Sequence, residues 1–267
     1  MDSIFGFIGT GNMGGAMARA ACRHVPAQRV LLNNRTMAKA EILASELGCH
    51  TADAQTIAEK ASYLFLGVKP QMMEDVLSSL APALAARQDR FVLVSMAAGL
   101  TISAIQKMSG NNYPVIRIMP NTPASIGQGM ILYTCSTEVT DTERQTFLEL
   151  MCGAGRFAAL PEALIDAGTC VSGCGPAFAD LFIEALADGG VACGLPRATA
   201  MELAAQMLIG SAQLVMESAQ HPGALKDAVC SPGGSTIQGV RTLEQRGFRA
   251  AVMDAVIAAY DKTKSFS

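Results

Sequence analysis

Charge is scarce in this chain of 267 residues. Asp, Glu, Lys and Arg together make up only 16%, and the net charge is −3. Lys and Arg form no long cluster, which argues against a nucleic-acid partner. Only three histidines are present, and no two of the eight cysteines are spaced C-x-x-C. That leaves neither a zinc site nor a disulfide framework, so no metal is expected. The cysteines read instead as small buried hydrophobes in a reducing cytoplasm. No apolar run reaches the roughly 20 residues needed to cross a bilayer. The start Met1-Asp2-Ser3-Ile4 has no basic lead, so neither a signal peptide nor a membrane span is expected, and the cytoplasm is the expected location. Internal repeats and low-complexity tracts are missing.

Apolar residues, in contrast, are abundant. They are half the chain, and the mean hydropathy is +0.30. So much apolar surface calls for a large core, a large subunit interface, or both. Short apolar runs at Ile4–Ile8, Arg29–Asn33, Tyr63–Val68, Phe91–Ser95 and Val115–Met119 alternate with helical segments. One of these helices is expected to be capped at Thr36 and to end near Gly48. Runs of this kind predict a parallel sheet covered on both faces. Met130–Cys135 and Phe157–Leu160 look like its last strands. Beyond about Leu160 the strand signals stop. Ala163–Gly190, Arg197–Ala219 and Phe248–Lys262 read as helices, and "AMELAAQMLIGSAQLVM" is apolar nearly all round. A helix of that kind is buried on all sides, and about a hundred residues can hardly bury several alone. The expectation is a nucleotide-binding domain over 1–160 and an all-helical domain over 161–267 that packs against another subunit.

The first run ends in "FIGTGNMG", which contains Gly9-x-Gly11-x-x-Gly14 between a strand and a helix, the context of a dinucleotide fingerprint. Gly9 permits the tight turn, Gly11 lets backbone approach a pyrophosphate, and Gly14 allows close helix–sheet packing. The helix start then faces the phosphates. The second strand ends in Asn33-Asn34-Arg35-Thr36. It lacks the carboxylate that usually holds the ribose hydroxyls of NAD. Arg35 can pair with a 2′-phosphate instead, which favours NADPH over NADH. Lys69-Pro70, "SMAAG" (Ser95–Gly99) and "MPNTP" (Met119–Pro123) close later strands on the same edge.

A nicotinamide cofactor means hydride transfer to an electrophile. The helical half offers no strong acid for that task. His221 stands in a turn-like context. The β-hydroxyacid dehydrogenases carry a Lys with an Asn one helical turn later, and no Lys here has that partner. Two small-residue turns stand out instead, "VSGCGPAF" (Val171–Phe178) and "CSPGGSTIQG" (Cys230–Gly239). In the second, Pro232-Gly233-Gly234 ends one helix, and Ser235 or Thr236 is expected to cap the next. A helix start is a ready carboxylate site, and the Thr236 hydroxyl can bond a ring nitrogen. The arrangement suits a substrate that brings its own proton, such as a cyclic iminium.

At this point the motifs resemble a known family, the Δ1-pyrroline-5-carboxylate reductases of proline biosynthesis. "FIGTGNMG", "VKP", "SMAAG", "MPNTP", "VSGCGPAF", "LADGGVACGLPR", "HPGALKDAVCSPGGSTIQG" and "LEQRGFR" run in family order over nearly the whole chain. The resemblance implies a Rossmann-like α/β domain followed by an all-α dimerisation domain, and dimers or larger homo-oligomers. It implies reduction of pyrroline-5-carboxylate to L-proline by NADPH, with NADH possible. It also implies that Ile8, Gly9, Thr10, Gly11, Asn12, Met13, Gly14, Asn34, Arg35, Val68, Lys69, Pro70 and Ala97 hold the cofactor. Val229, Ser231, Gly234, Ser235 and Thr236 would hold the substrate, with Thr236 as the catalytic group on the ring nitrogen. Three positions depart from the family pattern: Cys174 for a Ser, Ser235 for a Thr or Ala, and Asp53-Ala54-Gln55 where an Asn is frequent. Two other readings stay open. One is a reductase of a different cyclic imine, and the other is an NADP-binding sensor without catalysis.

Overall fold

The computed structural model describes residues 3–265. The chain divides into two compact units, Met1–Cys174 with Ala259–Ser267, and Gly175–Ala258.

The first unit is an alternating α/β structure. Its elements in chain order are β1 (Phe5–Ile8), α1 (Asn12–Ala21), β2 (Val30–Asn33), α2 (Met37–Leu47), β3 (His50–Thr51), α3 (Ala54–Lys60) and β4 (Tyr63–Leu66). There follow α4 (Met73–Ala86), β5 (Val92–Ser95), α5 (Ile102–Ser109), β6 (Val115–Met119), β7 (Gly129–Cys135), α6 (Asp141–Met151) and β8 (Gly155–Ala159). The eight strands form one sheet of order β3-β2-β1-β4-β5-β6-β7-β8. The order reverses direction between β1 and β4, which is where open α/β sheets place their ligands.

Side chains alternate across the sheet, as a strand period of two requires. Phe5, Phe7, Tyr63, Phe65, Val92 and Val94 enter one core. Ile8, Leu64, Leu66 and Leu93 enter the other. Both faces are therefore covered, which explains why these strands read as unbroken apolar runs. An aromatic stack forms on the first face, with Phe7 and Phe65 rings 4.2 Å apart and Phe147 of α6 at 6.1 Å from Phe65.

Three details differ from the sequence reading. The sheet is not wholly parallel, because β7 runs antiparallel to β6, with Ile118 opposite Tyr133. The link between them is only Pro120–Gln128, too short for a parallel crossover. The short strand β3 gave no apolar run, because only Leu31–His50 and Leu32–Thr51 pair there. Thr36 does stand at the start of α2, yet its side chain makes no capping bond.

Helices fill the rest of the chain: α7 (Glu162–Ser172), α8 (Gly175–Ala192), α9 (Arg197–Ser218), α10 (Pro222–Ala228), α11 (Ser235–Gln245) and α12 (Phe248–Lys264). The single helix expected over 163–190 is two, broken at Gly173–Cys174 ahead of Pro176. Proline lacks the N–H that a continuous ladder needs there. By length and composition alone, Glu162–Ala192 could cross a membrane, with a mean hydropathy of 1.3 over its best window. It carries Asp166, Asp180 and Glu184, and it is interrupted by the break just described.

The second unit has almost no interior. Ala187 is the buried residue of α8, Ala200 and Ala204 those of α9, and α10, α11 and α12 bury none. Leu181, Leu203, Met207, Ile209, Leu214, Val252 and Ile257 are all exposed. An apolar groove of about 420 Å³ opens between α8, α11 and α12, floored by Phe178, Phe182, Leu243 and Phe248. Contiguous apolar surface on this scale marks an interaction surface.

Leu203 is 55% exposed in the single chain, so Leu203→Asp on a true outer surface would change stability by no more than about 0.5 kcal/mol. If α9 is an interface helix, the substitution should instead convert the protein to monomers or abolish its folding. Sedimentation velocity of the variant against the parent distinguishes the two outcomes.

Candidate active site

The nucleotide end is built around one backbone carbonyl. Gly9 follows β1 with φ +96, a conformation that side chains avoid. A Cβ on Gly14 would lie 2.0 Å from the Gly9 oxygen, and a Cβ on Gly67 would lie 2.3 Å from it. Glycine at both positions lets α1 and the end of β4 close onto the same atom. The turn is tied to β2 as well. Gly9 N donates to Asn33 O at 2.9 Å, and Thr10 N donates to Asn34 Oδ1 at 3.3 Å. Asn34 in turn donates to Thr36 O at 3.1 Å, so its amide orders the turn.

The start of α1 is left open. Gly11 is its N-cap, without a side-chain capping bond, and its first turn holds no acidic residue. A Cβ on Gly11 would meet nothing within 4 Å, so the protein's own packing does not require this glycine. Thr10 is 7% exposed, and its hydroxyl oxygen is buried without a partner. A cavity of about 300 Å³ adjoins Thr10, Gly11 and Asn12 and reaches Lys39 of α2. An open helix start, an orphaned hydroxyl and a glycine with free space above it fit the phosphates of a dinucleotide. Val68, Lys69 and Pro70 follow β4, and Ala97 follows β5 with its N–H on Ser95 Oγ at 3.4 Å. Arg35 and Lys69 are exposed. All the expected cofactor residues thus sit at the ends of β1, β2, β4 and β5, on the carboxyl edge.

Asp53 is accounted for locally. Its carboxylate caps α3 by accepting from Thr56 N at 2.6 Å, and that bond holds its pKa below the usual range. Gly67 was not among the expected residues. Its signal was present in "LGVKP", where a glycine directly follows an apolar run.

The other expected group lies in the second unit, on the link from α10 to α11. His221 caps α10 by accepting from Gly223 N through Nδ1 at 3.0 Å, a structural use of the ring. Lys226 bonds Asp227, which raises the ammonium pKa. Val229 is exposed at the end of α10. The turn is closed by Gly234 N on Ser231 O at 3.0 Å, with Gly233 at φ +71. The cap expected at Ser235 or Thr236 belongs to Gly234, which is the N-cap of α11, and no side chain caps that helix. The turn is tight there, since a Cβ on Gly234 would lie 2.5 Å from Ser231 Oγ, which would have to rotate away, and 3.1 Å from the Ser231 carbonyl oxygen. Ser235 and Thr236 are therefore first-turn residues. Their N–H groups point along an uncapped, positive helix end, and their hydroxyls are exposed and free for a ligand. Val229, Ser231, Gly234, Ser235 and Thr236 all lie on this one turn. Among the described residues no three His, Cys, Asp or Glu side chains gather as a metal site would require.

Residues 162–266 match a family model described as pyrroline-5-carboxylate reductase dimerisation. Residues 4–99 match one described as NADP oxidoreductase, coenzyme F420-dependent. The pyrroline-5-carboxylate reductase of Escherichia coli K12 is 40% identical over 271 residues, covering 100% of this chain and 99% of that protein. The chain belongs to the pyrroline-5-carboxylate reductase family. Solved structures agree. That of the Coxiella burnetii reductase superposes with a TM-score of 0.90 at 29% identity, covering 100% of this chain and 99% of that one. A Plasmodium falciparum pyrroline carboxylate reductase with NADP bound gives 0.86 at 30% identity, covering 99% and 98%. This reductase is an oxidoreductase of proline biosynthesis with NAD(P)H as its cofactor, and it self-associates through its helical C-terminal region.

Two glycine substitutions separate packing from ligand binding. Gly11→Ala should leave the melting temperature unchanged while weakening NADPH binding about tenfold or more, because only the pyrophosphate needs that space. Gly14→Ala should lower the melting temperature as well. Thermal melts and fluorescence titration of NADPH check both.

Proposed function

We propose that the reduction of 1-pyrroline-5-carboxylate to L-proline proceeds here with NADPH preferred, and with the substrate held at the Ser231–Thr236 turn. The observation that carries this reading is the uncapped start of α11. It offers N–H groups and two hydroxyls with no acidic residue in its first turn. The carboxylate of the substrate fits that helix start. Ser231 and Ser235 contribute hydroxyls beside it, while Val229 and Gly234 shape the turn.

NADPH, when bound, supplies a hydride equivalent to the imine carbon of the substrate. The substrate enters with its ring nitrogen protonated, so the turn needs to provide no strong acid. Thr236 Oγ1 accepts a hydrogen bond from that nitrogen and fixes the plane of the ring. The contribution of the protein is placement and electrostatics. Arg35 supplies a fixed positive charge for a 2′-phosphate where a carboxylate would have favoured NADH. The nucleotide-binding part is 1–160 and the substrate-binding and dimerisation part 161–267. The eight cysteines stand as free thiols, which supports a place in a reducing cytoplasm.

Thr236→Ala should lower kcat by about ten- to a hundredfold, the worth of one hydrogen bond to a charged group. NADPH affinity should stay unchanged. Parallel loss of kcat and NADPH affinity, or loss of neither, would remove Thr236 from this role. Arg35→Gln should reduce kcat/KM with NADPH about tenfold and leave the NADH reaction close to the parent value. Initial rates with the two cofactors, with proline identified as the product, make the measurement.

A further inference from the structure

Asn121 has no part in the assignments above, yet it holds three elements together. It follows Pro120 at the end of β6, on the carboxyl edge that also carries Gly9, Val68 and Ala97. The residue is 7% exposed, so its amide must find partners within the protein. Oδ1 accepts from Met130 N at 3.0 Å, at the start of β7. Nδ2 donates to Ser172 O at 2.9 Å, at the end of α7.

The second bond answers a need of α7. The final carbonyls of a helix have no partner within it. Gly173 N and Cys174 N both donate to Thr169 O, at 2.7 and 3.1 Å, and Asn121 satisfies the carbonyl of Ser172. The other end of α7 is fastened by the same strand. Arg117 of β6 is 2% exposed, and its Nη2 donates to Asp166 Oδ1 at 2.8 Å. Its Nη1 reaches Glu162 Oε1 at 3.5 Å, and Glu162 Oε1 accepts from Ile102 N at 2.7 Å, at the start of α5. The segment Arg117–Asn121 therefore clamps α7 at both ends.

With Arg35 after β2 on its adenosine side, a dinucleotide bound across the switch point would lay its nicotinamide side over the ends of β4, β5 and β6. Ser172 is bonded to the residue that follows β6. The Ser172–Cys174 turn would then stand on the nicotinamide side, where its small residues would allow backbone to come close to a flat ring. We propose that Asn121 is a positioning residue for hydride transfer, which fixes the Ser172–Cys174 turn through the Ser172 carbonyl. The inference rests on the cofactor reading given above.

Asn121→Asp in the full-length protein isolates the effect. It keeps an acceptor for Met130 N, loses the donor to Ser172 O, and sets a negative charge against that carbonyl. Amide hydrogen exchange at Gly173 and Cys174 should accelerate about fivefold or more, with the strands of the sheet unchanged. Turnover should fall about tenfold or more, because small misplacements at a reacting centre are costly. The Kd for NADPH, by fluorescence titration, should stay within about twofold of the parent. Parent-like exchange and turnover would overturn the proposal. A fall in NADPH affinity alongside turnover would also overturn it, by making Asn121 a general support of the unit. Should the Asp variant not fold, Asn121→Ala carries the same three readouts. Failure of both variants to fold assigns Asn121 a purely structural role. Failure of the parent itself to bind NADPH would sink the cofactor reading, a result separate from any of these.

Discussion

The carbonyl of Gly9 is the point on which the nucleotide-binding unit depends. Three pieces of backbone meet there: the end of β1, the first turn of α1 and the end of β4. Each comes closer than a Cβ would allow at Gly14 or Gly67. That approach points the open end of α1 at the crevice where the strand order reverses. It also pulls Gly67, and with it Val68 to Pro70, against the glycine turn. Asn33 and Asn34 bind the same turn from β2. The residues expected to hold the cofactor are thus placed mainly by backbone packing, with the Asn34 amide tied into the same turn.

Much of this could be read from the residues. The glycine spacing, the missing carboxylate after β2 and the small-residue turn before α11 are local patterns, and local patterns survive in a sequence. The strands buried on both faces were visible because they need no polar side. What escaped were relations between distant positions. Gly67 shows locally only as a glycine after an apolar run, and its purpose, letting the end of β4 close onto Gly9, is a relation between distant positions. Asn121 stands in a quoted motif, but its partners are Met130 and Ser172. The antiparallel β7 looked like any other apolar run, since strand direction is set by the link before it. At α11 the error was small and instructive. Ser and Thr are good caps, yet the N-cap of α11 is Gly234, one residue earlier, and no side chain caps the helix, so both hydroxyls stay free.

The helical region follows a different logic. In the first unit, apolar side chains are sorted to two faces of a sheet and disappear from the surface. In the second they remain outside, and alanines form the small interior that exists. Such a region cannot be stabilised by its own burial, since the driving force scales with apolar area removed from water. The dimerisation match over 162–266 names the missing surface as that of another chain.

That exposed helical surface gives defects in this protein a particular inheritance. A change that distorts a helix on the shared face without preventing pairing spoils the chain that carries it and every normal chain that pairs with it. In a cell making both forms in equal amounts, random pairing leaves only about a quarter of the dimers wholly normal. Helix lesions that still pair would therefore behave as dominant poisons, whereas a lesion confined to the glycine turn would impair only its own copy of the cofactor site.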